Sequence, residues 1–246
     1  MTVDALRDET TKVVALSWNL FLSWFGDVWH VGHHIAVVGP TGEGKTTFVV
    51  PLLKMRKWVL ALDPKGEDET LALSGFFRVE KFPLPSRILQ DIAEGKPARL
   101  IIGGASDSEE ADQYLKALMH KAIQMCREQG GWTIYADEFQ VLADQRMYGL
   151  GKPIERLQIT ARGKKTSVIA AFQAMAWVPK SATRQATWTV ILPTRDFAMI
   201  KAVAESMGRD WKDLVRAVKE LPSFFMIIIP KSPLAPMVIV HPPKLM

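Results

Sequence analysis

A glycine-rich segment carrying a lysine and two threonines is the part of the sequence best suited to chemistry. Residues 39–46 read GPTGEGKT and match the pattern GxxxxGK[ST] at every fixed position, between an apolar stretch at 35–38 and a helical pattern that begins at Lys45. Glycine lets the backbone wrap closely, so several N–H groups can bind triphosphate oxygens at once, and the helix N-terminus adds its dipole. We therefore predict a phosphate-binding loop formed by Gly39, Pro40, Thr41, Gly42, Glu43, Gly44, Lys45, Thr46 and Thr47.

Three side chains of this loop have distinct expected roles. Lys45 would neutralise the β- and γ-phosphates, the Thr46 hydroxyl would ligate Mg²⁺, and Thr47 would contact the α-phosphate. The cofactors that this arrangement predicts are ATP and Mg²⁺. Because kinases, GTPases and ATPases all share such a loop, a second element has to distinguish among them.

Two adjacent carboxylates supply that second element. The apolar stretch 132–136 ends in Asp137 and Glu138, and sites in parallel sheets lie at the carboxyl ends of the strands. Asp137 would hold Mg²⁺ through water, whereas Glu138 would polarise a water in line with the γ-phosphate. The metal ligands predicted from the sequence are therefore Thr46 and Asp137, and the chemistry predicted is ATP hydrolysis.

Two further side chains complete the predicted site. Gln173 follows the apolar stretch 167–172, where ATPases with an extra strand between the loop strand and the acidic strand place a polar residue that senses the γ-phosphate. Arg162 begins a segment predicted as a short basic turn, eleven residues before Gln173. An arginine there could reach a neighbouring subunit's γ-phosphate, and such fingers contribute about 10³–10⁵ in rate. The predicted catalytic residues are Glu138, Lys45, Arg162 and Gln173.

The elements that must position these groups alternate between strand and helix along the chain. This alternation favours a mostly parallel sheet flanked by helices. The fold class predicted is α/β, a RecA-like P-loop ATPase core with an additional strand, closed by a strand pair at 224–229 and 237–240. Residues 1–32 are predicted to be an N-terminal helical extension, with a helix over about 4–25, and residues 33–246 the motor domain.

Composition and charge restrict the setting. The 246 residues carry a net charge of +5, which is compatible with a nucleic-acid partner. They contain a single cysteine, Cys126, which fits a reducing cytoplasmic environment. The apolar, tryptophan-rich stretch 13–25 is shorter than the roughly 20 residues that span a bilayer. We therefore expect no integral membrane segment but a helix packed on the core or on a neighbouring subunit. A helix that docks on a partner protein or lies at a membrane surface is the alternative. His33 and His34 are expected to be surface or edge residues.

Four segments together resemble the FtsK/HerA superfamily of ring-shaped DNA-pumping ATPases, and within it the TraD/TraG-type conjugative coupling proteins. They are the phosphate loop, the stretch 62–67 (LDPKGE), the stretch 136–139 (ADEF), and the stretch from 161 to 173 with its arginine and glutamine. The chain departs from that pattern in reading Ala-Arg-Gly at 161–163 and in lacking room for the large helical insertion of coupling proteins. In its compactness it is similar to viral DNA-packaging ATPases.

The resemblance implies a homo-oligomeric ring, with a hexamer favoured and a pentamer as the alternative. ATP would lie at subunit interfaces and double-stranded DNA in a central channel. It implies a phage- or plasmid-encoded motor acting in a bacterial cytoplasm. Residues 145–152, with Arg146, Tyr148 and Lys152, are the segment expected to contact DNA, and Gly149 and Gly151 would let it move.

Two alternatives remain open on the sequence. The same active site could power protein assembly or secretion, as in phage morphogenesis, with the N-terminal tryptophan-rich helix as the docking element. A P-loop kinase for a small acceptor is the third hypothesis. Gln173, the tandem acids and the absence of an evident arginine-rich lid argue against it.

Overall fold

The computed structural model describes residues 13–66, 71, 75–104, 108–173 and 184–243, and these form one ten-stranded sheet flanked by helices. The strands are β1 (Val13–Ala15), β2 (Ile35–Val38), β3 (Trp58–Asp63), β4 (Phe77–Arg78), β5 (Ala98–Gly103), β6 (Trp132–Ala136), β7 (Ser167–Phe172), β8 (Trp188–Ile191), β9 (Met226–Pro230) and β10 (Met237–Val240). The helices are α1 (Trp18–Val28), α2 (Lys45–Lys54), α3 (Ser86–Ala93), α4 (Glu109–Gln129), α5 (Phe139–Ala143), α6 (Gly151–Lys164), α7 (Phe197–Ser206) and α8 (Trp211–Lys219).

The order of the strands confirms the predicted α/β class. Across the sheet the order is β1-β10-β9-β8-β2-β7-β6-β3-β5-β4. β7 lies between the loop strand β2 and the acidic strand β6 and is parallel to both, so it is the additional strand. β9 is antiparallel to both β8 and β10, as expected for the closing strand pair.

Both faces of the sheet are covered, which explains why its central strands are apolar throughout. All six residues of β7 are buried, as parallel strands sandwiched between helices require. In β2, Ile35 and Val37 belong to one hydrophobic cluster while Ala36 and Val38 belong to the other, because successive side chains point to opposite faces. A sheet fixed on both sides presents the carboxyl ends of β2, β7, β6 and β3 in one line.

The N-terminal segment contacts this core. β1 pairs with β10 in parallel, and α1 buries Phe21 and Phe25 completely. The ring centroid of Phe21 lies 5.8 Å from that of Phe48 on α2, and the ring centroid of Phe25 lies 5.1 Å from that of Trp188 on β8. Among the described helices, none combines the length and the apolarity needed to cross a membrane.

The single helix predicted over about 4–25 is wrong where the structure describes this segment. Residues 13–15 form a strand and the helix begins only at Trp18, while residues 1–12 lie outside the described part. The reason is tertiary: Val13 and Val14 meet the open edge of β10, where β-branched residues pack well on a pleated surface.

His34 is buried, which corrects the expectation of a surface position. It is 3% exposed and lies where β2 begins, between α6 and β7. Its Nε2 donates to the carbonyl of Gln158 (3.2 Å), and its Nδ1 accepts from the backbone N–H of Val168 (3.0 Å). The imidazole therefore supplies one donor and one acceptor, which it can do only as the neutral ring.

This burial makes the folding free energy depend on pH. Burial lowers the pKa of His34 to about 4, so between pH 6.5 and pH 4 the unfolded chain binds a proton that the folded chain does not. Stability is therefore full above pH 6.5 and is lost as the pH falls toward 4, by on the order of 3 kcal/mol.

The expectation can be tested by urea unfolding of the wild type and of His34→Gln between pH 7.5 and pH 4.5. We expect His34→Gln to be less stable at pH 7.5 and to lose less stability on acidification. His30→Gln, a change at an exposed histidine, should keep the wild-type dependence. Equal slopes for the wild type and His34→Gln would contradict the assignment.

Candidate functional site

The predicted phosphate loop joins the end of β2 to the start of α2. The backbone N–H of Gly39 donates to the carbonyl of Phe172 at the end of β7 (3.1 Å), which ties the loop to the neighbouring strand. Lys45 turns its ammonium back over the loop, where Nζ donates to the carbonyls of Gly39 (2.9 Å) and Pro40 (2.7 Å). Its charge therefore stands over the loop itself, and Thr46 and Thr47 follow in the first turn of α2.

Two glycines of the loop are required by its shape. A Cβ on Gly39 would lie 2.6 Å from the Cβ of Leu192 on the strand side, so no side chain fits there. Gly44, the N-cap of α2, has φ 91°, a left-handed conformation that residues with a Cβ rarely adopt. The loop can thus reverse direction within a few residues. The first backbone N–H groups of α2 then face the space that the loop encloses.

The two predicted carboxylates lie at the carboxyl end of β6. The backbone N–H of Asp137 donates to the carbonyl of Leu62 on β3 (3.0 Å), and Asp137 Oδ1 accepts from the Tyr135 hydroxyl (2.8 Å). Glu138 caps α5 with φ 45° and ψ 54° and is only 9% exposed. A non-glycine residue in this conformation is uncommon and is often found at functional sites.

Glu138 is held by side chains from the strands on both sides of β6. Lys65, just past β3, donates to Glu138 Oε1 at 2.8 Å. Gln173, just past β7, donates through Nε2 to the same oxygen. Since the loop is bonded to the end of β7 through Gly39, hydrogen bonds connect the ends of β2, β7, β6 and β3 in a continuous row.

The turn that carries Lys65 is itself fixed. The buried Asp63 carboxylate accepts from the Gly66 N–H (2.9 Å), and the Tyr148 hydroxyl donates to the Pro64 carbonyl (3.1 Å). A Cβ on Gly66 would lie 2.4 Å from Gly104 Cα, so this position also requires glycine. Three of the residues in the DPKG stretch thus have a structural role in placing the ammonium of the fourth, and Glu67 lies outside the described part of the chain.

Only part of the segment 145–152, which was expected to contact DNA, is exposed at the surface. Tyr148 is 5% exposed and Leu150 is fully buried, because the tyrosine supports the turn at Pro64. Gly151 and Lys152 already belong to α6, so the loop ends at Leu150, and the expectation that Tyr148 is available to contact DNA is wrong. Arg146 and Lys152 are exposed.

The backbone of residue 162 lies at the end of the sheet opposite to the other candidate site residues. The basic turn predicted at 162–165 is wrong, because α6 continues to Lys164 and residue 162 lies in its last turn. This end of α6 meets the start of β6, where the Gly131 N–H donates to the Lys164 carbonyl (2.8 Å). β7 begins near this end of α6, and Gln173 follows the other end of the strand. The six residues of β7 separate the two ends by about 20 Å.

The donors at the strand ends suit a magnesium ion bound together with a triphosphate. Among the described residues there is no group of three or more His, Cys, Asp or Glu side chains that could hold a metal by themselves. Mg²⁺ is commonly held by one or two protein oxygens with phosphates and waters filling the octahedron. A threonine hydroxyl at the start of α2 and a half-buried carboxylate, Asp137, at the end of β6 fit that pattern.

Lys65 is the site residue that sequence reasoning missed. The stretch containing it contributed only to the family resemblance, and no role was predicted for its ammonium. Its place just past β3 could have predicted this position. β3 neighbours the acidic strand β6 in a parallel sheet, so the residues that follow both strands lie at the same edge of the sheet.

Comparison with known proteins shows the fold independently. No family model and no curated protein matches the chain. Among solved structures it is similar to B204, the DNA-packaging ATPase from Sulfolobus turreted icosahedral virus, with a TM-score of 0.61 and 16% identity over 87% of this chain and 100% of that one.

Two further structures extend the likeness. The genome-packaging NTPase B204 from Sulfolobus turreted icosahedral virus 2, in complex with AMPPCP, gives a TM-score of 0.58 at 15% identity over 86% of this chain and 98% of that one. VirB4 of Thermoanaerobacter pseudethanolicus gives 0.60 at 9% identity over 86% of this chain and 89% of that one. The chain thus shares its fold with these packaging NTPases and with VirB4.

Proposed function

We propose that this chain is a motor ATPase that hydrolyses Mg-ATP and uses the energy to move double-stranded DNA. The observation that carries the catalytic part is the row of hydrogen bonds from the phosphate loop through Gln173 to Glu138. A site that only binds nucleotide would have no need of a buried carboxylate held beside the loop. The viral neighbours, whose names describe packaging of a genome, support the DNA part.

Binding would depend on the loop and on α2. The backbone N–H groups of residues 39–46 and the ammonium of Lys45 would surround the phosphates, and Lys45 would exchange its two carbonyl partners for phosphate oxygens. Thr46 and Asp137 would hold Mg²⁺. When bound, the ion would screen the charge that develops on the phosphates. ATP and Mg²⁺ are the groups that this donor set fits.

Hydrolysis would proceed by attack of a water on the γ-phosphorus. Both hydrogen bonds of Glu138 described above use Oε1, and Oε2 would accept the proton of the attacking water. The new bond forms between the water oxygen and the γ-phosphorus as the bond to the β,γ-bridging oxygen breaks, which leaves ADP and phosphate. Gln173 is hydrogen-bonded to Glu138 and would also contact the γ-phosphate, so binding of the γ-phosphate would affect the position of the base.

Lys65 would position this base, and its substitution gives a measurable prediction. A hydrogen bond to a charged group contributes about 1.5–3 kcal/mol, and Lys65 is half exposed, so we expect the lower end. Lys65→Met should therefore reduce kcat about tenfold and leave KM nearly unchanged, because the lysine holds Glu138 rather than ATP.

The conservative change Lys65→Arg keeps the positive charge and should recover much of the rate. The matched control is Lys121→Met, at an exposed lysine of α4. If kcat of Lys65→Met equals that of the wild type, Lys65 does not position the base.

The ring assembly is also part of the proposal. Residue 162 lies in the last turn of α6, at the end of the sheet opposite to Glu138, so we infer that Arg162 acts on the site of a neighbouring subunit. A homo-oligomeric ring, hexameric rather than pentameric, places each ATP between two subunits and leaves a central channel for DNA. We propose a phage- or plasmid-encoded motor in a bacterial cytoplasm.

The DNA function can be tested by displacement of a third strand from a triplex. A translocating motor displaces a triplex-forming oligonucleotide from double-stranded DNA only while it hydrolyses ATP. We expect displacement by the wild type with Mg-ATP, and none with Lys45→Ala or with a non-hydrolysable analogue. ATP turnover without any displacement would contradict DNA translocation and leave the ATPase assignment intact.

A motor for protein assembly or secretion is the second candidate, and an exposed side chain on α1 favours it. Leu20 is 56% exposed on a helix whose other face is buried, so it offers an apolar contact to a partner. Deleting residues 1–25 would remove Phe21 and Phe25 from the core and is unsuitable as a test. Leu20→Ser changes only the surface; loss of biological function with normal DNA-independent turnover would support this candidate.

A further inference from the structure

Phe224 lies beside the phosphate loop and takes no part in the hydrogen bonds of the site described above. A Cβ built on Gly44, the last glycine of the loop, would be 3.7 Å from Cδ1 of the Phe224 ring. The ring is 46% exposed. The next residue, Phe225, anchors the turn: its N–H donates to the Pro222 carbonyl (3.1 Å) and its ring lies 4.8 Å from that of His241. A large apolar side chain is thus held at the mouth of the site.

The backbone of Phe224 is in a conformation that its side chain disfavours. Its φ is 67°, where a residue with a Cβ meets the following carbonyl and where bulky residues are genuine outliers. Glycine would adopt this φ without that clash. Since the half-exposed ring adds little to the core, an unfavourable backbone combined with an exposed aromatic indicates a position kept for a ligand.

The order of the strands fixes which part of a nucleotide would reach this position. Glu138 and Gln173 lie on the β7 and β6 side of the loop strand β2, so the γ-phosphate must point to that side. The triphosphate then runs the other way, past Gly44 and the start of α2, toward β8 and β9. Phe224 lies two residues before β9, and β9 is two strand spacings from β2, or about 10 Å. This is the side on which the base would leave the loop.

We propose that the Phe224 ring is the stacking surface for the base of the bound nucleoside triphosphate. This inference rests on the proposed function, because it concerns the same nucleotide. A ring face recognises the planar, aromatic part of the ligand and is indifferent to the phosphates. Stacking on an aromatic side chain tolerates any base, so Phe224 contributes affinity rather than a choice among bases.

The test separates the base from the phosphates by comparing ATP with inorganic tripolyphosphate. Calorimetric titration of the full chain with Mg²⁺ is expected to show Phe224→Ala binding ATP about tenfold to hundredfold more weakly than the wild type, with tripolyphosphate affinity unchanged. Phe224→Trp should bind ATP as the wild type does. Phe77→Ala, which removes a ring of similar exposure (44%) on β4, is the control.

Three outcomes would decide against the inference. Equal losses for ATP and tripolyphosphate in Phe224→Ala would mean that the ring supports the loop, and unchanged ATP affinity would mean that it does not contact the base. Both leave the proposed function intact. A wild-type chain that binds neither ligand would instead remove the proposed function and this inference with it.

A second variant distinguishes ligand binding from a structural role. Phe224→Gly removes the ring and suits the left-handed backbone, so it should raise the melting temperature while weakening ATP binding as Phe224→Ala does. A ring that mainly stabilised the fold would give a lower melting temperature instead, and this result would overturn the proposal.

Discussion

Replacing Glu138 with glutamine is expected to lower kcat for ATP hydrolysis by about 10²–10⁴-fold, the contribution typical of a positioned general base. Glutamine has the same shape and can still accept from Lys65 and Gln173, but its amide cannot take a proton from water. The phosphate loop is untouched, so ATP affinity should stay within a few-fold of the wild type. Turnover from steady-state kinetics and affinity from titration of ATP measure the two effects separately.

The control for this experiment is Glu110→Gln, which removes an exposed carboxylate from the first turn of α4. It should hydrolyse ATP at the wild-type rate. Turnover by Glu138→Gln within a few-fold of the wild type would show that Glu138 is not the base. A large fall in ATP affinity would instead assign the carboxylate to binding.

Arg162→Ala is expected to lower kcat by about 10³–10⁵-fold, as loss of an arginine finger does in other phosphoryl-transfer enzymes. The effect should appear only in the assembled ring, because residue 162 lies at the edge of the sheet opposite the same chain's phosphate loop. ATP binding by the isolated subunit should be unaffected. Arg127→Ala, at an exposed arginine in the last turn of α4 near the same edge, is the matched control.

Mixing the two inactive variants tests whether the arginine acts in trans. In a ring containing both, an Arg162→Ala subunit supplies an intact Glu138 and a neighbouring Glu138→Gln subunit supplies an intact Arg162. With random one-to-one mixing, roughly a quarter of the interfaces combine both groups in a closed ring, so activity should return well above that of either variant alone. Mixtures as inactive as their components would contradict the subunit-interface site.

The features that could be predicted from the sequence share one property: each is local in the chain. The loop from Gly39 to Thr46 is a contiguous pattern with fixed positions, and Asp137 and Glu138 follow directly from an apolar stretch. The parallel sheet could be predicted because apolar runs and helical periodicity alternate. The extra strand between β2 and β6 was expected from the apolar stretch 167–172 that precedes Gln173, and the strand order confirms it.

What could not be predicted depends on contacts between distant segments. Tyr148 is buried because its hydroxyl meets Pro64, 84 positions earlier, and His34 is buried because it bonds to Gln158 and Val168. The same holds for Lys65, whose partner Glu138 is 73 positions away. No local pattern distinguishes Tyr148 and His34 from surface residues of the same type, since their environment exists only after the sheet has formed. For Lys65 the sequence indicates the edge of the sheet through its place after β3, but not its partner.

ATP turnover of the purified chain, measured with and without double-stranded DNA in low and in moderate salt, distinguishes a DNA motor from other ATPases. We expect DNA to stimulate turnover several-fold and this stimulation to fall as the salt concentration rises, because contacts with phosphates release counterions and weaken steeply with salt. Lys45→Ala should show no turnover under any condition. Turnover by the wild type that is the same with and without DNA at both salt concentrations would contradict a DNA-translocating motor.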